Sequence, residues 1–133
     1  MKRSILLFIV TLLVSCAHSP SHEGLQDSNR QRPHFIVTLT TVPPQPHVGE
    51  NLFRARLTDA AGAPIADAQV MFELRMKEMR FMRRVARGRL VDDGVYEATI
   101  DLNMGGEWVI TVEVERPGFE IFQEKFMINA GAM

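Results

Sequence analysis

From Phe35 to Ile128 apolar residues recur at every second position in short runs, and each run stops at glycine, proline or small polar residues. That period sends successive side chains to opposite faces of an extended strand. A chain patterned this way hides its apolar residues by laying the inner face of one sheet against another. Phe35, Val37 and Leu39 alternate with Ile36, Thr38 and Thr40. Val42-Pro43-Pro44-Gln45-Pro46 then stops any ladder, because proline has no N–H to give it. Asn51, Phe53, Ala55 and Leu57 form the next inward set, and Asp59 to Pro64 reads as a turn. Val70, Phe72, Leu74 and Met76 share one face of a further strand. Arg87 to Val91 reads as a short strand, and Asp92-Asp93-Gly94 is a turn. Tyr96 to Leu102, Trp108 to Val114 and Phe119 to Ile128 complete the series. About seven strands with regular turns predict an all-β, immunoglobulin-like antiparallel β-sandwich. Trp108 and Tyr96 are read as core residues of that sandwich, not as stacking platforms for a ligand.

The chain has 133 residues, enough for one such domain. Its start is of a different kind. Lys2 and Arg3 precede an apolar run from Ile5 to Leu13, too short to span a bilayer and suited to a secretion signal. Leu13-Val14-Ser15-Cys16 then resembles the bacterial lipobox, and Cys16 is the one cysteine of the chain. Residues 1–15 are therefore read as a lipoprotein signal peptide, with Cys16 as the lipidated (palmitate-bearing) residue. Residues 16–33 are read as the lipidated cysteine and a flexible linker, and residues 34–133 as the β-sandwich domain. Ala17 after the cysteine favours the periplasmic face of the outer membrane. One cysteine excludes an internal disulfide, a CxxC redox pair and a thiolate zinc site. With 16 acidic residues against 15 basic ones, the charge gives no reason to expect nucleic-acid binding.

Several landmarks fall in a familiar order: Pro43-Pro44, Val48-Gly49-Glu50-Asn51, Gly62-Ala63-Pro64-Ile65, Ala68-Gln69-Val70, Gly94-Val95-Tyr96 and Met104-Gly105-Gly106-Glu107-Trp108. Over roughly residues 34 to 128 the sequence resembles the YtkA-like domains, small extracytoplasmic sandwiches related in style to FixH and to copper-binding CopC-type folds. The resemblance implies that fold, and copper delivery or oxidase assembly as the function. Members often carry a Met-Pro-x-Met type stretch after the third strand. Here the equivalent stretch, Met76 to Met82, is charged and lacks proline.

Met76, Met79 and Met82 are spaced by three, and Met104 sits in a glycine-rich turn. Thioethers are soft, neutral donors suited to Cu(I), and they bind without losing a proton. These four methionines are the candidate metal ligands, with His47 or His34 as a further nitrogen donor. The plain alternative is packing, since Met76 is in phase with Val70, Phe72 and Leu74 and methionine fills gaps well. Arg80, Arg83 and Arg84 form a candidate contact for an acidic partner surface or lipid phosphates. The chain has no nucleophile elbow, HExxH or phosphate loop, so a non-enzymatic role is expected. Two functions follow: a lipid-anchored module that binds Cu(I), or a structural adaptor docking to an envelope protein.

Overall fold

The computed structural model describes residues 31–132. Residues 1–30, on which the readings of a signal peptide, a lipidated Cys16 and most of a linker fall, and Met133 lie outside them. Eight strands follow in order: β1 (Ile36–Val42), β2 (Gly49–Thr58), β3 (Gln69–Met76), β4 (Arg83–Arg87), β5 (Arg89–Asp92), β6 (Val95–Leu102), β7 (Gly106–Glu115) and β8 (Phe122–Ala130). They form two four-stranded sheets, β1-β2-β6-β5 and β4-β3-β7-β8, with every pair antiparallel. This is the immunoglobulin order ABED on one sheet and CFG on the other, with β4 added beside the C-like β3.

The alternation seen in the sequence becomes the core. Phe53, Leu57, Phe72, Leu74, Trp108, Ile110, Val112 and Val114 are fully buried between the sheets. Tyr96 is buried beside them, and its hydroxyl donates to the Ile65 carbonyl (3.0 Å) and accepts from the Ala68 amide (3.2 Å). It thereby fastens the long β2–β3 connection to β6. Asp59 shapes the start of that connection, its Oδ1 accepting from the amides of Ala61 and Ala63.

The stretch read as one short strand, Arg87 to Val91, holds the last residue of β4 and most of β5. Arg83 to Ala86, assigned to no strand from the sequence, make up the rest of β4. β4 pairs with β3 and β5 pairs with β6, so the chain changes sheets at Gly88. The crossing passes over the core. A Cβ on Gly88 would stand 3.0 Å from Phe72 Cε2 and 3.2 Å from Tyr96 Cβ, so glycine fits where other residues crowd both sheets. The last strand also begins later than the alternation suggests, at Phe122, because Arg116 to Ile121 forms a connection whose Phe119 packs on Phe35.

Candidate functional site

The pairing registers decide which loops share an end of the sandwich. Met76 is paired with Trp108, Gly49 with Leu102, and Gly106 with Ala130. One pole therefore collects the β1–β2 loop with His47, the β3–β4 hairpin with Met79 to Met82, the β6–β7 turn with Met104, and the end of β8. His34 lies just ahead of β1, at the end where Ile36 pairs with Thr58, and so at the opposite pole. Gln31 is at that far pole too, its amide donating to the Gly118 carbonyl (3.1 Å).

The hairpin is a closed unit. The Met76 amide donates to the Met82 carbonyl (3.1 Å) and the Met82 amide to the Met79 carbonyl (2.8 Å). The Lys77 amide donates to the Glu107 carbonyl (2.9 Å), and Lys77 Nζ reaches the Glu107 carboxylate (2.7 Å). These bonds pin the hairpin to the start of β7, next to Met104. The Trp108 indole N–H donates to the Met104 carbonyl (3.2 Å), which sets the turn on the core. Met76 is buried, while Met79, Met82 and Met104 are partly buried and packed against the core. Gly106 has a φ of 123° and lies under Met76: a Cβ there would be 2.9 Å from Met76 Cε. Two demands, a left-handed backbone and room for a thioether methyl, thus fall on one residue. The consequence is that the Met76 thioether reaches the turn that carries Met104.

His47 is set by a neighbour that the sequence reading left as one of a run of inward residues. Asn51 is buried, its amide donating to the carbonyls of His47 (2.7 Å) and Gly49 (2.8 Å) and its Oδ1 accepting from the His47 amide (3.0 Å). A polar residue in an apolar alternation is the signal that could have marked it. His47 Nδ1 lies 2.7 Å from the Val48 carbonyl. A carbonyl only accepts, so Nδ1 carries the proton and Nε2 keeps its lone pair for a ligand. His47 lines the cleft between the edge strands β1 and β8, with Pro44, Pro46 and Phe126. A separate groove lies on the outer face of the second sheet, lined by Glu73, Arg75, Lys77 and Arg83, while the Met76 side chain is buried in the core. The structure therefore places the imidazole at the methionine pole but on another cleft.

The arginines divide by partner. Arg83 pairs with Glu73 (2.7 Å), which Arg75 also contacts. Hydrogen bonds from Arg83 first and Arg75 second hold the Glu73 carboxyl down at about 2. Arg84 donates to the Asp101 and Arg83 carbonyls (3.3 Å each), and Arg80 stands in the outer-face groove. Among the described residues no three His, Cys, Asp or Glu side chains gather in a way that could hold a metal. Thioether sulfur is the donor chemistry the hairpin and the β6–β7 turn offer, with the His47 imidazole at the same pole on a different cleft.

The family model for YtkA-like domains matches residues 34–113. No curated protein matches the chain. Among solved structures, the crystal structure of the PmoD soluble domain from Methylocystis sp. is similar, with a TM-score of 0.55 at 11% identity. The match covers 76% of this chain and 95% of that one, and at that identity it speaks for the fold alone.

Proposed function

The chain belongs to the YtkA-like family, and from that premise we propose that it is a non-enzymatic envelope module that binds Cu(I) through Met76, Met79, Met82 and Met104. The observation that carries the reading is the closure of the β3–β4 hairpin onto the β6–β7 turn. It gathers at one pole the thioethers of two segments that are more than twenty residues apart in sequence. Thioethers suit a soft monovalent ion in an oxidising compartment, where thiols would pair with one another. Glu73 offsets the charge of Arg83 beside the hairpin, which lowers the repulsion a cation meets there. In this reading the protein is held to the membrane by acyl chains on Cys16 at the periplasmic face of the outer membrane. Gln31, the first described residue, lies at the pole opposite the methionines.

A competitive Cu(I) titration against a chromogenic chelator tests the reading. Methionine-to-leucine changes conserve volume and cost little stability. Replacing all four should weaken Cu(I) binding by at least an order of magnitude while the fold persists; an unchanged affinity removes the metal from the proposal. Because thioethers carry no proton to displace, affinity should stay flat between neutral and mildly acidic pH. A fall in that interval that His47→Ala abolishes would add the imidazole to the donor set. Mass spectrometry of the mature N-terminus tests the anchor. The adaptor reading rests on Arg80, Arg83 and Arg84, and it gains if the methionines prove silent while charge reversal at the arginines abolishes an envelope interaction.

A further inference from the structure

Phe81 is 82% exposed, the most exposed of the large apolar side chains among the described residues. The methionines on either side do not share that exposure. Met79 and Met82 turn in against the core, and the backbone bonds of the hairpin hold the loop closed. Phe81 is therefore presented by a fixed apex.

The charge around it is equally one-sided. From Arg75 to Arg89, seven of fifteen residues are Arg or Lys and one, Glu78, is acidic. Over the rest of residues 31–132, acids outnumber bases thirteen to five. Directly beside the hairpin, the groove on the outer face of the second sheet is lined by Lys77, Arg80, Arg83 and Lys125. Glu73 is shared by Arg83 and Arg75, Lys77 is paired with Glu107 (2.7 Å) and Glu113 accepts from the Gln123 amide (2.6 Å). Among the described residues, Arg80 and Lys125 are thus the groove's cations outside ion pairs.

We infer that the β3–β4 hairpin docks on a bilayer of acidic phospholipid, with Phe81 entering the headgroup boundary and the groove taking a lipid phosphate. An apolar tip ringed by cations is the arrangement that combines burial of apolar surface with attraction to anionic headgroups. A single apolar anchor favours a lipid surface over a protein. A specific protein interface is broad and closely matched in shape, whereas this hairpin offers one strongly exposed aromatic side chain, Phe81. The inference depends neither on the metal nor on the acyl anchor, and it gives the domain a membrane contact at the pole opposite Gln31.

The test uses residues 17–133 without acyl chains, since the described residues 31–132 carry both sheets and the core between them. Sedimentation with vesicles of phosphatidylglycerol and phosphatidylcholine should carry the protein down, and vesicles of phosphatidylcholine alone should not. Each unit of charge near such a surface changes partitioning about five-fold, so Arg80→Glu should lower binding by more than ten-fold. Arg80 stands outside the ion pairs among the described residues, so that change spares the fold. Phe81→Ser should weaken binding several-fold. In Phe81→Trp the new indole should shift its emission to the blue on adding acidic vesicles, while buried Trp108 stays constant. Equal binding to both vesicle types, or no change with Phe81→Ser, overturns the inference. Displacement by inorganic phosphate at matched ionic strength also overturns it, by marking the groove as a small-anion site.

Discussion

At the scale of single residues, two buried polar groups organise the connections between strands. Asn51 satisfies three backbone groups of the β1–β2 loop. A leucine of similar size would keep the packing and leave those groups without their partner, at a cost of about 2–3 kcal/mol. Urea unfolding of Asn51→Leu should register that loss, and a change below about 0.5 kcal/mol would mean that water replaces the side chain without penalty. Tyr96→Phe removes the link from β6 to Ile65 and Ala68 and should cost about 1–2 kcal/mol by the same measurement. Both residues sit in the apolar alternation, and only their polar atoms set them apart. Their positions are readable in the sequence as inward-facing; the backbone groups they serve are not, because those belong to loops whose path depends on the whole fold.

At the scale of elements, the crossing from β4 to β5 and the Glu73 cluster on β3 are the sensitive points. Gly88→Ala puts a methyl within 3.0–3.3 Å of Phe72, Tyr96 and Val70. Two sheets must then give way together, which should lower stability by about 1–3 kcal/mol. A thermal midpoint equal to that of the parent would show that the crossing has slack. Glu73 has its carboxyl lowered from 4.5 to about 2 by Arg83 and Arg75. A carboxylate with a depressed folded value stabilises the native state fully above its unfolded value. That contribution is lost as pH falls from about 4.5 toward 2. Solvent reaches all three side chains, so the contribution is about 1 kcal/mol. Parent and Glu73→Gln should therefore differ in urea stability at neutral pH and converge near pH 2. A constant difference would mean that the ion pairs do not hold β3 to β4. The alternation identified β2, β3, β6 and β7 because each buries one face. It missed most of β4 and placed the start of β5 two residues early because Val85, Leu90 and Val91 are all more than two-fifths exposed, so that edge segment carries little period to read.

At the scale of the whole molecule, one core joins the two sheets, with Trp108 at 0% exposure between them. Trp108 fluorescence and far-ultraviolet circular dichroism should report one coincident unfolding transition; separate midpoints would mean that the sheets come apart independently. What the sequence determined by itself was the class of fold, its inward faces and its turns, along with the order of landmarks shared with YtkA-like domains. These are local properties: a period of two needs only neighbouring residues to be expressed. What the tertiary structure decided was the pairing register, and with it the company each loop keeps. Met76 meets the turn of Met104 because β3 lies beside β7, His47 opens on another cleft because β1 and β8 are edges, and Phe81 projects because Met79 and Met82 turn inward. Contacts between segments distant along the chain follow from sheet packing as a whole, and no short stretch of residues encodes them.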